Sequence, residues 1–351
     1  MPDATKGVIR SLDTRDLEKL QIEGLVTNTY HLSHSPGSSV LKETQGLKKF
    51  MDWDGLLISD SGGFPLLSLI YSGKTDGEIS DKGIKFSRKK GRKTKKVLFT
   101  PEKSIQMQFN IDSDIMICLD DCPNFDCTEN ENEQSVRRTI NWAERCKTEF
   151  EKQCKLRNIP GDQRPLLFGV IQGGNETKLR RLCYEKLEEI GLDGYGFGGW
   201  PLLDSGEQNE KVLKFVAELI PENKPKYALG VGNPDGIINC RQMGYDIFDC
   251  VLPTRDGRHA RLYNLNPIVT HGNIFSVESA FGHMQIIRDK YRRDFGPIDP
   301  GCDCHTCQNY SRAYLNHLFN IKDSLAGRLA TIHNLKTYMR LIEILRNADT
   351  K

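Results

Sequence analysis

The stretch Gly244–Arg261, GYDIFDCVLPTRDGRHAR, decides how the rest of the chain is read. Ile247, Phe248, Val251 and Leu252 form an apolar run with β-branched members, which predicts a buried strand closed by Pro253. One carboxylate, Asp249, interrupts the run, and Arg255, Arg258 and Arg261 follow it. An acid among strand residues is costly to bury unless it is paired or at work. Two readings follow. Asp249 is held by a neighbouring arginine, or it is a carboxylate at a strand's C-terminal end, facing a pocket whose rim binds phosphate through arginine.

Outward from this stretch the same design recurs. LLIS runs into Asp60-Ser61-Gly62-Gly63-Phe64, IMICLDD ends on Asp120 and Asp121, LLFGVIQGG carries Gln172 before two glycines, and GYGFGGW closes on Gly198-Gly199. KYALGVGNP adds a further apolar run with a glycine-rich end. Glycines after a strand let backbone approach a ligand, and the acid or amide then stands at the strand's end. Helical stretches separate these runs: Thr14 to Ile22, Val40 to Phe50, a helix capped by Thr100 with Pro101 at its first position, Asn132 to Asn158, Thr177 to Ile190, and Gln208 to Ile220. GLVTNTYHL reads as a strand and HSPGSS as a loop. Strand, polar turn and helix repeated at least six times predict an α/β fold with a parallel sheet, and so many functional-looking strand ends favour a (β/α)8 TIM barrel.

With 351 residues, 38% of them hydrophobic and 27% charged, the chain has length for a full core. A net charge of +2 does not mark the whole chain as a polyanion binder, so any basic surface must be local. The densest candidate is Lys85–Lys96, where eight of twelve residues are Lys or Arg; it reads as a solvated charged loop or as a finger facing polyphosphate. No apolar run reaches membrane-spanning length, and MPDATKGVIR lacks a secretory signal's apolar stretch. Eleven cysteines, odd in number and mostly scattered, point to reduced thiols and a cytoplasmic location.

Cys302, Cys304 and Cys307 form C-x-C-x-x-C, and His333 follows 26 residues after Cys307 in ATIHNL. Three thiolates and an imidazole make a closed tetrahedral site for one structural Zn2+, with no position left for reactive water. His317 is a rival ligand, and His305, inside the cysteine knuckle, a poorer one.

NTYHL, FMDWDG, SDSGGF, FTPEKS, LDDC, VIQGG, GVGNP, FDCVLPTRDGRH and CDCHTCQNYSRAYLNHL, in that order, resemble the tRNA-guanine transglycosylases, also called queuine tRNA-ribosyltransferases, over nearly the whole chain. The resemblance implies a (β/α)8 barrel over residues 1–295, a zinc-binding subdomain over 296–335 and a C-terminal helix over 336–351 packing on the barrel. It implies exchange of guanine at a tRNA wobble position, in GUN-type anticodons, for a 7-deazaguanine base such as preQ1 or queuine. Asp249 would be the nucleophile of a covalent ribosyl-enzyme intermediate, and Asp60 the general acid and base. Asp120, Gln172, Gly198, Gly199, Trp200, Phe64 and Leu229 would hold a base flipped out of its loop, and Arg255, Arg258 and Arg261 would grip RNA. A homodimer built partly on NYSRAYLNHLF is also implied, beside a plain helical-core reading of those residues.

The chain departs from the family pattern in three places. Pro65 stands where the family usually has glutamine, and Gly199-Trp200-Pro201-Leu202-Leu203-Asp204 replaces a stretch of small residues ending in glutamate. The bulky indole is expected to reshape the part of the pocket that receives the 7-substituent. The chain also starts near the family's first barrel strand, which leaves closure of the barrel open and reads as a shortened form or a misassigned start. Two other functions stand beside base exchange on tRNA: insertion of a 7-deazaguanine into DNA, and a non-catalytic tRNA-binding partner subunit. A replaced Asp60 or Asp249 would mark the second, and both are present.

Overall fold

The computed structural model describes residues 1–90, 93–203, 205–266, 274 and 279–348, with backbone only at 88–90, 93 and 94. Asp204 therefore lies outside the described residues. In chain order the strands are β1 (Gly24–Thr27), β2 (Leu56–Ser59), β3 (Gly77–Ser80), β4 (Gly83–Lys90) and β5 (Lys93–Phe99). They continue with β6 (Ile115–Ile117), β7 (Leu166–Ile171), β8 (Gly194–Phe197), β9 (Lys226–Ala228), β10 (Ile247–Phe248), β11 (Arg261–Leu265) and β12 (Phe281–Gln285).

Seven strands form one parallel sheet in the order β1-β2-β6-β7-β8-β9-β10, with helices between successive strands. The two ends of that sheet meet the same segment. Pro2 bridges Cys250 and Asp3 bridges Val26, both in parallel, and the Val26 amide donates to the Pro2 carbonyl at 3.1 Å. Residues 1–4 thus take the eighth position, and the sheet closes as the (β/α)8 reading requires.

Strand alternation divides the sheet's side chains between two cores. Val26, Ile58, Ile115, Ile117, Phe168, Val170 and Tyr227 form a cluster of their own inside the ring, with Met1, Leu229 and Ile247 against it. Residues of opposite parity, such as Leu25, Leu57 and Leu167, pack outward under the helices. Because side chains repeat every two residues along a strand, the residue two places after an inner one stands at the mouth of the same ring. Val26 leads to Asn28, Ile58 to Asp60, Val170 to Gln172, and Ile247 to Asp249.

Three local readings are corrected. The apolar run after Asp249 is not strand: β10 ends at Phe248, and Pro253 opens a helix, Leu252–Arg258. Proline's fixed φ and missing N–H suit a first helical turn as well as a stop, so the residue alone did not choose. GLVTNTYHL is strand only to Thr27, since the Asn28 side chain accepts from the His31 amide and caps a short helix, Thr29–Leu32. Of the Lys85–Lys96 run, residues 85–90 and 93–96 are not loop but paired strand in β4 and β5, held down by buried Ile84, Phe86 and Phe99, while residues 91 and 92 lie outside the described residues.

The C-terminal helix, Ser324–Ala348, joins the barrel to the cysteine region. Buried Asn334 donates to the Pro253 and Arg261 carbonyls at 3.1 and 2.9 Å and accepts from the Tyr263 amide at 3.1 Å. Gly257 of the Leu252–Arg258 helix lies flat on it: a Cβ there would stand 3.0 Å from the Thr331 backbone nitrogen. Gly257→Ala is therefore expected to cost about 1–3 kcal/mol by overpacking, read as a lowered midpoint in denaturant with unchanged slope.

Candidate active site and metal centre

At the mouth of the ring three carboxylates stand at strand C-terminal ends, each in a different hydrogen-bonding setting. Asp60 directly follows β2. Its Oδ2 accepts from the Asn28 amide at 2.6 Å, and its Oδ1 from the Thr29 and Gly62 backbone N–H groups at 2.8 and 3.0 Å. Gly62 makes that last contact from a left-handed conformation, φ 78°, and a Cβ there would meet the Tyr30 nitrogen at 2.8 Å. Burial pushes the Asp60 pKa up to about 7, with the negative charges of Asp3 and Asp249 adding to the rise and the N–H donors opposing it.

Asp120 follows β6 and accepts from the Gln172 side-chain amide at 2.7 Å. Burial pushes its pKa up to about 6, against the Gln172 hydrogen bond. The neighbouring Asp121, grouped with it by sequence, belongs elsewhere: it is fully buried and paired with Arg138 Nε at 2.6 Å, with the Tyr71 hydroxyl donating at 3.1 Å. Gly198 gives the Gln172 amide its room, since a Cβ there would lie 2.6 Å from Nε2. Gly199, at φ 97°, borders the same amide and the guanidinium of Arg180. Sequence reasoning passed over Arg180, although a buried cation fixes this corner. It donates to the Ile171 and Gly174 carbonyls at 2.7 and 2.8 Å and lies over the Phe197 ring.

Asp249 follows β10, half-buried, and its Oδ1 accepts from the Gly230 amide at 2.9 Å. The arginine-held reading of this acid fails: among the described residues Asp249 has no ion pair. Asp256 is the acid that the arginines hold, with Arg255 Nε at 3.6 Å and Arg261 Nε at 3.7 Å. Arg258 donates to the Thr254 carbonyl at 2.9 Å, and the charges of Arg10 and Arg255, after burial, depress its pKa. Arg10, Arg255 and Arg258 thus make one positive patch. Tyr227, an inner-ring residue that sequence also missed, lies beside Asp249, and burial first and that carboxylate second hold its phenol neutral.

Apolar groups complete the site. Leu229 is half-buried over the inner cluster, and Phe64 is 49% exposed at the mouth. Trp200 lies on the rim: its indole N–H donates to the Pro123 carbonyl at 3.0 Å, and its ring meets Phe64 edge-on, centroids 5.9 Å apart. Beside Asp249 opens a cavity of about 930 Å³, bordered by Leu202, Gln208, Gly230, Asn233 and Arg255.

The metal centre is separate. Cys302, Cys304, Cys307 and His333 are all buried, and one donor atom of each lies within 4.8 Å of the others. His333 Nδ1 faces the Cys307 and Cys304 sulfurs at 3.2 and 3.7 Å, while its Nε2 is engaged by the Tyr263 carbonyl at 2.6 Å. That bond fixes the tautomer with Nδ1 free to ligate, the usual outer support of a metal-bound imidazole. His305 and His317 are exposed and lie outside the cluster. Three soft thiolates and one imidazole fit a closed tetrahedral metal site.

Residues 1–348 match the sequence model of the family described as queuine tRNA-ribosyltransferase. The queuine tRNA-ribosyltransferase of Lysinibacillus sphaericus is 38% identical over 348 residues, 99% of this chain and 84% of that protein. The proteins of the same description from Psychrobacter sp. and Halothermothrix orenii are each 39% identical, again over 99% of this chain and 85% of theirs.

Cys304→Ala is expected to abolish stoichiometric metal binding and to lower thermal stability, because ligand binding to the folded state alone adds to its free energy. Metal analysis and thermal unfolding check both. Retention of one tightly bound ion per chain by the variant would remove Cys304 from the ligand set.

Proposed function

Because the chain belongs to the queuine tRNA-ribosyltransferase family, we propose that it exchanges guanine in a tRNA anticodon for a 7-deazaguanine base through a covalent bond to Asp249. The observation that carries this reading is the separation of three mouth carboxylates into three environments, one without an ion pair among the described residues, one held by three N–H donors, and one bound to an amide.

Asp249 attacks C1′ of the target ribose. It needs to be ionised and unneutralised, and the Gly230 N–H orients it without cancelling its charge. As its oxygen bonds to C1′, the C1′–N9 bond breaks and its electron pair leaves on the purine. Asp60, protonated up to about pH 7, supplies the proton to the departing base. The incoming base then gives its proton back to Asp60 and displaces Asp249, so configuration is retained. Asp120 accepts from the purine's N–H edge, and the Gln172 amide with the Gly198-Gly199 backbone serves the carbonyl side. Phe64 and Leu229 supply apolar faces, and Trp200, pinned to Pro123, borders the space for a 7-substituent.

Arg255, Arg258 and Arg261 contact RNA phosphates together with Arg10, and the lysines of the β4–β5 pair add further backbone contacts. The cluster of Cys302, Cys304, Cys307 and His333 holds one structural Zn2+ that fixes the C-terminal helix against the barrel. Half-exposed Tyr314, stacked on Tyr310, offers surface for a homodimer. No helix of the described residues is long and apolar enough to cross a membrane, in keeping with a cytoplasmic enzyme.

Labelled guanine with unfractionated tRNA tests the reading: the wild type is expected to incorporate label, and Asp249→Asn to lose at least about 10⁴-fold in rate. A denaturant-stable protein–RNA adduct should form with the wild type alone. Incorporation by the variant at the wild-type rate would sink the nucleophile assignment. The pKa directions also fix a pH profile for exchange. Activity is expected to fall below about pH 6 as Asp120 takes up a proton, and above about pH 7 as Asp60 loses one. A rate that keeps rising to pH 9 would contradict Asp60 as the acid.

A further inference from the structure

Asp3 stands in the mouth ring, and so far its only part is the charge that adds to the rise at Asp60. Its place follows from register. Met1 packs on the inner cluster, and Asp3, two residues on, faces the mouth as Asp249 does two residues after Ile247. The Pro2–Cys250 bridge sets it beside Asp249 on one side, and the Asp3–Val26 bridge sets it beside the strand that carries Asn28. The carboxylate is half-buried, and the Thr5 hydroxyl donates to its Oδ1 at 2.9 Å. A carboxylate accepts about four hydrogen bonds, so acceptor capacity remains. Burial pushes the Asp3 pKa up to about 6, which leaves it ionised, and an acceptor only, in mildly alkaline solution.

The order of residues around the ring says what lies over Asp3. Asp120 and Gln172 come from β6 and β7, across the mouth from the junction where residues 1–4 meet β10. With the base on the β6–β7 side and C1′ bonded to Asp249, the sugar lies over Asp249 and its neighbour Asp3. Within a polynucleotide O3′ and O5′ are esterified, so the 2′-hydroxyl is the one O–H donor on that sugar, on the carbon next to C1′.

We propose that Asp3 reads the sugar of the target nucleotide, accepting a hydrogen bond from its ribose 2′-hydroxyl and so selecting RNA over DNA. This rests on the base-exchange reading, in which Asp249 attacks C1′. A hydrogen bond at the hydroxyl next to the reacting carbon strengthens as positive charge develops there, so it favours the transition state more than the ground state. The 2′-hydroxyl is also the group by which a protein tells RNA from DNA at one site.

The test compares two anticodon hairpins, one with guanosine and one with 2′-deoxyguanosine at the target position, as substrates for guanine exchange. The full-length wild type is expected to prefer the ribose hairpin by at least about tenfold in kcat/KM, the scale of one hydrogen bond to a charged group. Asp3→Val should lose that factor on the ribose hairpin relative to the deoxy one, so the ratio falls towards one, while any shift at Asp60 acts on both hairpins alike and cancels in the ratio. An unchanged ratio in Asp3→Val overturns the proposal and leaves the base-exchange reading intact. If Asp3→Val fails to fold, Asp3→Asn, which keeps an acceptor for Thr5, decides by the same ratio. Failure of the wild type to exchange guanine on either hairpin removes the base-exchange reading, and this proposal with it.

Discussion

The two-residue repeat of side chains along a strand is the constraint from which the rest of this structure follows. A closed ring of parallel strands must fill its interior with apolar side chains, and here Val26, Ile58, Val170, Tyr227 and Ile247 do so. The next inward position on each strand lies beyond the packed layer, where water reaches one side and protein the other. Asn28, Asp60, Gln172, Leu229 and Asp249 occupy those positions. Polar groups can stand there because the strand ends supply free backbone N–H donors, such as Gly62 to Asp60 and Gly230 to Asp249. The fold thereby gathers acids that chain order spreads over almost 190 positions, from Asp60 to Asp249.

Gathering acids in a half-buried ring has an electrostatic consequence that sets them apart. Burial lifts the pKa of Asp3, Asp60 and Asp120, and a neighbouring carboxylate adds to the rise at each. Asp60 feels both effects most, despite three N–H donors that favour its charged form. Asp120 is pushed up less, in contact with the Gln172 amide. The nearby arginines are bound to other acids: Arg138 pairs with Asp121, and Arg255 and Arg261 flank Asp256. An arginine beside Asp60 would hold it ionised and leave it no proton to give near neutral pH.

The C-terminal helix carries the second organising contact. His333 and Asn334 are adjacent on it, one turned to the cysteines and the other to the backbone around Pro253, Arg261 and Tyr263. The Tyr263 carbonyl that orients the His333 ring belongs to the same residue whose amide donates to Asn334. The cysteine–histidine cluster and the seat of the Leu252–Arg258 helix are therefore joined through one strand, β11. Tyr338, one turn further along, donates to the Gly232 carbonyl at 2.9 Å and ties the helix to the loop after β9.

The sequence by itself carried the parallel α/β architecture, the ring of polar strand ends and the Cys302, Cys304, Cys307 and His333 cluster. Each is a local pattern: apolar run, glycine pair, ligand spacing. What it could not decide are matters of partner and register. Pro253 fits a strand end or a helix start, and the helix it starts is seated on the C-terminal helix through Gly257 and Asn334, contacts that linear order does not show. Whether Asp249 or Asp256 meets the arginines depends on which way β10 delivers them into the turn. Asn28, Tyr227 and Arg180 are unremarkable residues in linear order, and they acquire their parts when distant strands align. Asp3 shows the same limit most plainly. Nothing near it in the chain marks it, and its neighbour Asp249 lies at the other end of the barrel's sequence, brought alongside when the first residues close the ring.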